Sequence, residues 1–193
     1  MLRDYQQTAC DAAIDWVRKS VEPACLELAT GAGKSHVLAY IANWLYENSG
    51  KKTLVLQPTV ELLAQNHEKY LATGNDASMF SASSGRRSVR RNVVYATPQT
   101  VANHLGRFDD RFGAVLIDEA HGVTPTVKRI IDSMREKNPN LRVIGCTATP
   151  YRTGEGYIYQ YDTEGQFVDE ANDPFFNTLL CSVRTRELIN KGY

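Results

Sequence analysis

Apolar residues Tyr5, Ala9, Ala12, Ala13, Trp16 and Val17 recur at helical spacing behind Asp4, a residue suited to capping, so an amphipathic helix is expected to open the chain. Pro23 helps to end that unit. Short β-prone runs then alternate with helical stretches: ACLELAT, a helix from about Gly33 to Tyr46, TLVLQP, a helix from about Val60 to Leu71, and ASMFSA. The alternation continues through NVVYAT, a helix over roughly Gln99 to Leu105, AVLID, a helix over roughly Thr126 to Glu136, and LRVIGCTAT. After Pro150 it gives way to GEGYIYQYDTEGQFVDEANDP, rich in glycine, tyrosine and acids. Residues 151–182 are therefore expected to form an irregular loop or hairpin, followed by a helix from about Arg184 to Lys191.

Runs such as AVLID and LRVIG are apolar at nearly every position, as in parallel strands covered on both faces. The pattern predicts an α/β fold, a mostly parallel sheet flanked by helices, with ligands bound beyond the carboxyl ends of the strands. A length of 193 residues suits a single domain, 1–193. With 42% hydrophobic and 23% charged residues, neither disorder nor a fibrous structure is suggested. Basic and acidic residues both number 22, so any nucleic-acid surface has to be a local patch. Cys10, Cys25, Cys146 and Cys181 lie far apart and off metal-ligand spacing, which fits a reduced, metal-free protein of the cytoplasm. The opening MLRDYQQTACD carries charges where an export signal is apolar, and no later apolar run nears the roughly 18 residues of a membrane span. Neither export nor membrane insertion is expected.

Strand-like CLEL leads into ATGAGKS, Ala29–Ser35, and then into the apolar stretch HVLAYIANWLY. Phosphates need several converging amide donors, and glycines at 31 and 33 let the backbone curl closely around them. A helix N-terminus adds its dipole. Thr30, Gly31, Ala32, Gly33, Lys34 and Ser35 are thus a candidate phosphate loop for ATP, with Lys34 reaching the β- and γ-phosphates and the Ser35 hydroxyl ligating Mg²⁺. The strict pattern GxxxxGK[ST] asks for glycine where Leu28 stands, so the strand before and the helix after carry the reading; an ordinary glycine-capped turn is its alternative.

Asp118 and Glu119 close the apolar run AVLID and precede Ala120 and His121. A carboxylate at a strand's carboxyl end can hold Mg²⁺ through water, and its neighbour can orient and deprotonate an attacking water. Two solvated acids capping the next helix are the alternative.

ATGAGKS, DEAH at Asp118–His121 and TATP at Thr147–Pro150 resemble motifs I, II and III of superfamily 2 helicases, in order and spacing. RxYQ at Arg3–Gln6 resembles the adenine-reading Q motif, QPTVELLAQ resembles motif Ia, and ATPQT resembles motif Ib. The resemblance covers nearly the whole chain and implies a RecA-like P-loop NTPase domain, the first of two motor domains, with ATP and Mg²⁺ as cofactors. By the same resemblance Gln6 pairs with adenine with Arg3 in support, Lys34, Asp118, Glu119 and His121 are catalytic, His121 reaches the partner domain or Thr147, and Thr147 and Thr149 sense nucleotide state. The second RecA-like domain, with its arginine finger, is expected beyond Tyr193. More narrowly, NPNLRVIGCTATPYRTGEGYIYQY and PTVELLAQNHEKY look like bacterial RadD-type DNA-repair ATPases, which often carry cysteine where Ala120 stands.

Motifs Ia and Ib place Thr59, Thr97, Gln99 and Thr100 at helix starts, where amides and hydroxyls can grip a nucleic-acid backbone without reading sequence. Helix capping explains the same threonines nearly as well. Arg86, Arg87, Arg90 and Arg91 form the one dense basic cluster, read either as phosphate contacts or as a solvated loop. The leading expectation is an ATP-hydrolysing DNA motor or remodelling domain in repair or recombination, acting on single-stranded or branched DNA with repair proteins as partners. A nucleotide-dependent switch that does not unwind, a restriction-enzyme motor and an RNA helicase stay open.

Overall fold

The structure, a computed structural model, describes residues 2–190. Along the chain run α1 (Asp4–Lys19), β1 (Ala24–Leu28), α2 (Lys34–Ser49), β2 (Lys52–Leu56), α3 (Val60–Leu71), β3 (Ala77–Ser81), β4 (Arg86–Arg87), β5 (Val93–Ala96) and α4 (Pro98–Ala102). β6 (Phe112–Asp118), α5 (Pro125–Lys137), β7 (Arg142–Thr147), β8 (Tyr151–Arg152), β9 (Gly156–Tyr157), β10 (Tyr159–Tyr161), β11 (Phe176–Val183) and α6 (Thr185–Asn190) follow. Nine strands form one sheet in the order β10-β11-β1-β7-β6-β2-β5-β3-β4, parallel throughout except where β4 turns back along β3. This is the expected α/β architecture.

Three of the helices start where the sequence offers partners for unpaired N–H groups. Thr59 Oγ1 accepts from Leu62 N at 3.2 Å to cap α3, and Thr124 caps α5 with Pro125 in the first turn. At α1 the expected cap shifts by one residue. Asp4 is already helical, Arg3 is the capping position, and the Gln6 Oε1 accepts from Arg3 N at 2.9 Å.

Strand side chains alternate between two cores. Leu26 and Leu28 of β1 pack with Ala9, Ala13, Leu38 and Ile41 under α1 and α2, whereas Cys25 joins Ile130, Ile131 and Met134 under α5. Among the described residues no helix is long and apolar enough to cross a membrane.

The stretch after Pro150 is more regular than expected. A short hairpin, β8 with β9, is present, yet its far end is β11, an eight-residue strand of the main sheet paired in parallel with β1 from Ala24↔Thr178 to Leu28↔Val183. β11 is buried only at intervals, because its far neighbour is the three-residue edge strand β10, so it lacks the continuous apolar run that marks the inner strands. The helix expected over 99–105 ends at Ala102 and resumes as one 3₁₀ turn, Leu105–Arg107. Lys191, the expected end of the last helix, lies outside the described residues.

Gly145 lies in the middle of β7, where an added Cβ would stand 2.4 Å from Phe176 Cζ and 2.6 Å from Ala120 Cβ. Phe176 is itself buried and cannot swing clear. Gly145→Ala is expected to destabilise the fold by about 1–3 kcal/mol through overpacking, read as a lower urea midpoint at unchanged slope.

Candidate functional site

β1, β7 and β6 are neighbours and parallel, with Cys146 level with both Leu26 and Asp118, and Glu27 level with Thr147. The loops leaving their carboxyl ends, from Ala29, Glu119 and Ala148, therefore emerge side by side. The first of them curls: Gly31 and Gly33 take φ of 82° and 80°, the left-handed region that side chains resist. Space matters as well at Gly33, where a Cβ would stand 2.4 Å from Gln6 Nε2, while around Gly31 there is open room. Gln6 Nε2 donates to Ala32 O at 2.8 Å, so the side chain that caps α1 also fastens α1 to this loop. Gln6 is buried, not a surface residue. Arg3 and Tyr5 lie in the same cluster, with Arg3 Nη1 donating to the Tyr5 hydroxyl at 3.2 Å.

Lys34 and Ser35 open α2, Ser35 half-buried and Thr30 exposed on the loop before them. The Lys34 ammonium stands 2.9 Å from Glu119 Oε1, with 15% and 28% of the two side chains exposed. Glu119 itself adopts φ 50°, ψ 52°, a left-handed conformation that costs a non-glycine residue about 1–2 kcal/mol. From there a polar chain continues. Glu119 Oε2 lies 3.4 Å from His121 Nδ1, which lies 2.9 Å from Thr147 Oγ1, and that hydroxyl accepts from Thr149 N at 3.1 Å. The loop lysine, the DEAH acid and histidine, and both threonines of TATP thus form one connected set.

Asp118 is buried, and its two carboxylate oxygens are held from different directions. Oδ1 accepts from Glu119 N at 2.9 Å and Oδ2 from Asn66 Nδ2 at 3.1 Å. Burial pushes the Asp118 carboxyl above the usual range and the charge of Glu119 adds to this, against the Glu119 N–H, Lys34 and Gln57, which favour the ionised form. Asn66 and Gln57 were not singled out in the sequence. The available signal was Asn66 in the apolar stripe of α3, between Leu63 and Tyr70. Three of the cysteines are held unreactive: burial pushes the Cys10 thiol up to about 12, and the Cys25 and Cys146 thiols are raised for the same reason.

On the same edge of the sheet, β2 and β5 deliver the candidate strand contacts. Thr59 is exposed at the start of α3, Gln99 is exposed on α4, and Thr97 is half-buried. Thr100 is buried, and its hydroxyl accepts from Ala82 N at 3.1 Å and meets Thr97 Oγ1 at 3.0 Å, tying the connection after β3 to α4. The arginine cluster is part edge strand, since Arg86 and Arg87 form β4. With Arg90 and Arg91 they border an open concavity of about 500 Å³; Arg91 pairs with Asp76 at 2.8 Å, and among the described residues no carboxylate pairs with the other three.

A glycine loop on a central parallel strand, two acids two strands away and two threonines at the end of the strand between them are the layout of a RecA-like P-loop domain, the N-terminal one of superfamily 2 helicases. Residues 1–152 match the family described as "Type III restriction enzyme, res subunit", and the chain belongs to that family. It is 32% identical over 183 residues to a Halobacterium salinarum protein that carries the name of a DNA 3'-5' helicase, Rad25, with 91% of this chain and 28% of that one covered. To a Saccharomyces cerevisiae protein named as an ATP-dependent helicase, IRC3, it is 29% identical over 167 residues, covering 77% of this chain and 23% of that one. The crystal structure of the Pyrococcus furiosus Hef helicase domain superposes with a TM-score of 0.62 at 26% identity, over 79% of this chain and 35% of that one. The chain thus spans about a quarter of the length of the two named relatives.

Lys34→Ala is expected to weaken binding of ADP and ATP by about tenfold or more, the loss of one charge-assisted hydrogen bond. Calorimetric titration of the 193-residue chain measures it, and unchanged affinity would remove Lys34 from the phosphate site.

Proposed function

We propose that this chain binds ATP with Mg²⁺ and hydrolyses it as the first motor domain of a DNA-translocating or DNA-remodelling protein that works in the cytoplasm. The observation that carries the reading is the Lys34–Glu119 pair at 2.9 Å, placed between the glycine loop and the polar chain to Thr147. A lysine held by the candidate base keeps its place without phosphates, and triphosphate oxygens compete for the same ammonium. Binding of ATP then releases Glu119 to face water.

The residues suit the cofactors. The loop cradle admits no Cβ at Gly33, and Asp118 presents two carboxylate oxygens at the end of β6, each able to accept more than one contact. Thr30, Gly31, Ala32 and Gly33 present backbone to the phosphates, Lys34 donates to their oxygens, and the Ser35 hydroxyl and Asp118 are the groups to hold Mg²⁺. When bound, Mg²⁺ neutralises charge on the phosphate oxygens. Glu119 orients the attacking water and accepts its proton, and His121, through Thr147 and Thr149, passes the state of the phosphate end to the neighbouring loop. Gln6 and Arg3 stand beside the loop as the adenine contacts. An arginine supplied by a second RecA-like domain completes the transition-state charge, a contribution of about 10³ to 10⁵ in rate.

Thr59, Thr97 and Gln99 lie on the edge that carries the nucleotide site, where a single-stranded or branched DNA backbone can span both. The naming of the Halobacterium relative as a DNA helicase supports DNA over RNA. A role in repair, with repair proteins as partners, rests on the narrower RadD-type resemblance; the family match itself favours a second reading, the motor of a restriction enzyme.

In a protein carrying both motor domains, Glu119→Gln is expected to keep ATP affinity and to lower turnover by about 10²–10⁴, because the amide keeps the shape and loses the base. Wild-type phosphate release from that variant would end the assignment. Replacing Arg86, Arg87, Arg90 and Arg91 by alanine is expected to leave ATP binding intact. A fall in the slope of log K against log salt, by roughly 0.9 per lost contact on duplex DNA, would mark those arginines as phosphate contacts; an unchanged slope would mark a solvated edge.

A further inference from the structure

Asn66 stands where α3 should bury an apolar residue. Its neighbours on the packed face are Leu63, His67 and Tyr70, and Asn66 itself is buried, 6% exposed. An amide placed there without partners would cost the desolvation of a donor pair and an acceptor. Its partners are specific: Nδ2 donates to Gln57 Oε1 at 3.0 Å and to Asp118 Oδ2 at 3.1 Å. A carboxylate oxygen only accepts, so the amide's orientation is fixed with its NH₂ group toward both oxygens. Gln57 is 1% exposed, and its backbone N–H donates to Ala96 O at 2.9 Å, so β5 holds the third member of the cluster. One NH₂ group thus uses both protons to join the end of β2, the end of β6 and the middle of α3.

α3 starts at the exposed cap Thr59, seven residues before Asn66, or roughly 10 Å along a rigid helix. No other side-chain hydrogen bond reaches Asp118 from a helix among the described residues. A shift of α3 against the sheet therefore acts on the Asp118 carboxylate directly, and Oδ1, held by the Glu119 N–H, stays in place as the pivot. A buried polar cluster of this kind fixes one arrangement, where an apolar contact would allow sliding.

We infer that Asn66 is a positioning residue that holds the Asp118 carboxylate from α3, so that a nucleic-acid strand seated at the start of α3 and Mg²⁺–nucleotide seated at Asp118 are coupled through this one amide. The inference rests on the reading given under Proposed function. Coupling of this type is reciprocal: whatever the strand does to Mg²⁺–nucleotide affinity, Mg²⁺–nucleotide does to strand affinity.

The test titrates Mg²⁺ into the 193-residue chain with a fluorescent ADP analogue, with and without a single-stranded thymidine oligonucleotide, and follows thermal unfolding in parallel. In the wild-type chain the Mg²⁺ midpoint for nucleotide binding is expected to move when the oligonucleotide is added. Asn66→Leu, of similar size and without a donor, is expected to raise the midpoint by about 10-fold or more and to make it indifferent to the oligonucleotide, with Mg²⁺-free nucleotide affinity unchanged. Asn66→Ser keeps one donor and is expected to fall between the two; it carries the comparison if the leucine variant does not fold. A lower unfolding temperature with a wild-type midpoint would overturn the inference and leave Asn66 a packing residue. A raised midpoint that still responds fully to the oligonucleotide would overturn the coupling. A wild-type chain that binds no Mg²⁺–nucleotide would overturn the underlying nucleotide reading and the inference with it.

Discussion

β1 is the constraint on which the site depends. All five of its residues are buried, and it is clamped by parallel strands on both sides, β7 on one and β11 on the other. Parallel strands end on the same edge of a sheet, so the pairing brings the glycine loop, the DEAH acids and the TATP threonines level with one another before any side chain is considered. β11 completes the clamp: Val183 O accepts from Ala29 N at 2.9 Å, and so the last strand touches the first residue of the glycine loop. Buried Glu27 adds a polar tie, accepting from Ser182 Oγ at 2.5 Å.

That rigid edge carries groups a fold would not retain for stability. Asp118 is a buried carboxylate, Glu119 sits in left-handed backbone without being glycine, and Lys34 gives up part of its hydration to pair with Glu119. Such features persist where the surroundings over-determine them. Here the surroundings are the two cores on either face of the sheet, whose members Leu26, Leu28, Val115 and Val143 leave the strands no freedom to shift. Stability held in apolar layers thus offsets strain and desolvation concentrated at the loop ends.

Two polar connections lead away from the acids in different directions. His121 leads from Glu119 to Thr147 and Thr149 on β7's loop, and Asn66 leads from Asp118 to α3. The edge that carries the acids is therefore tied both to the neighbouring loop and to α3. Gln6 gives a third tie, because the amide that caps α1 through its oxygen also donates through Nε2 to Ala32 O. The arginine concavity lies at the edge of the sheet beside β4, bordered also by His67 of α3.

By itself the sequence determined whatever depends on near neighbours. Apolar runs marked the inner parallel strands, the 3.6-residue period placed α3 at Val60–Leu71, and glycines at 31 and 33 beside Lys34 marked a tight loop ahead of α2, because left-handed backbone and helix periodicity are local properties. Tertiary structure alone decided what depends on distant partners. β11 became an inner strand only because β1 needed a second neighbour, and its half-covered face hid it from periodicity. Thr100 is tied down by Ala82, 18 residues earlier, and Asn66 finds its buried partner in Asp118, 52 residues later. Composition cannot tell a buried amide with a partner from a solvated one, since the difference lies in a hydrogen bond that forms only when the sheet has closed over it.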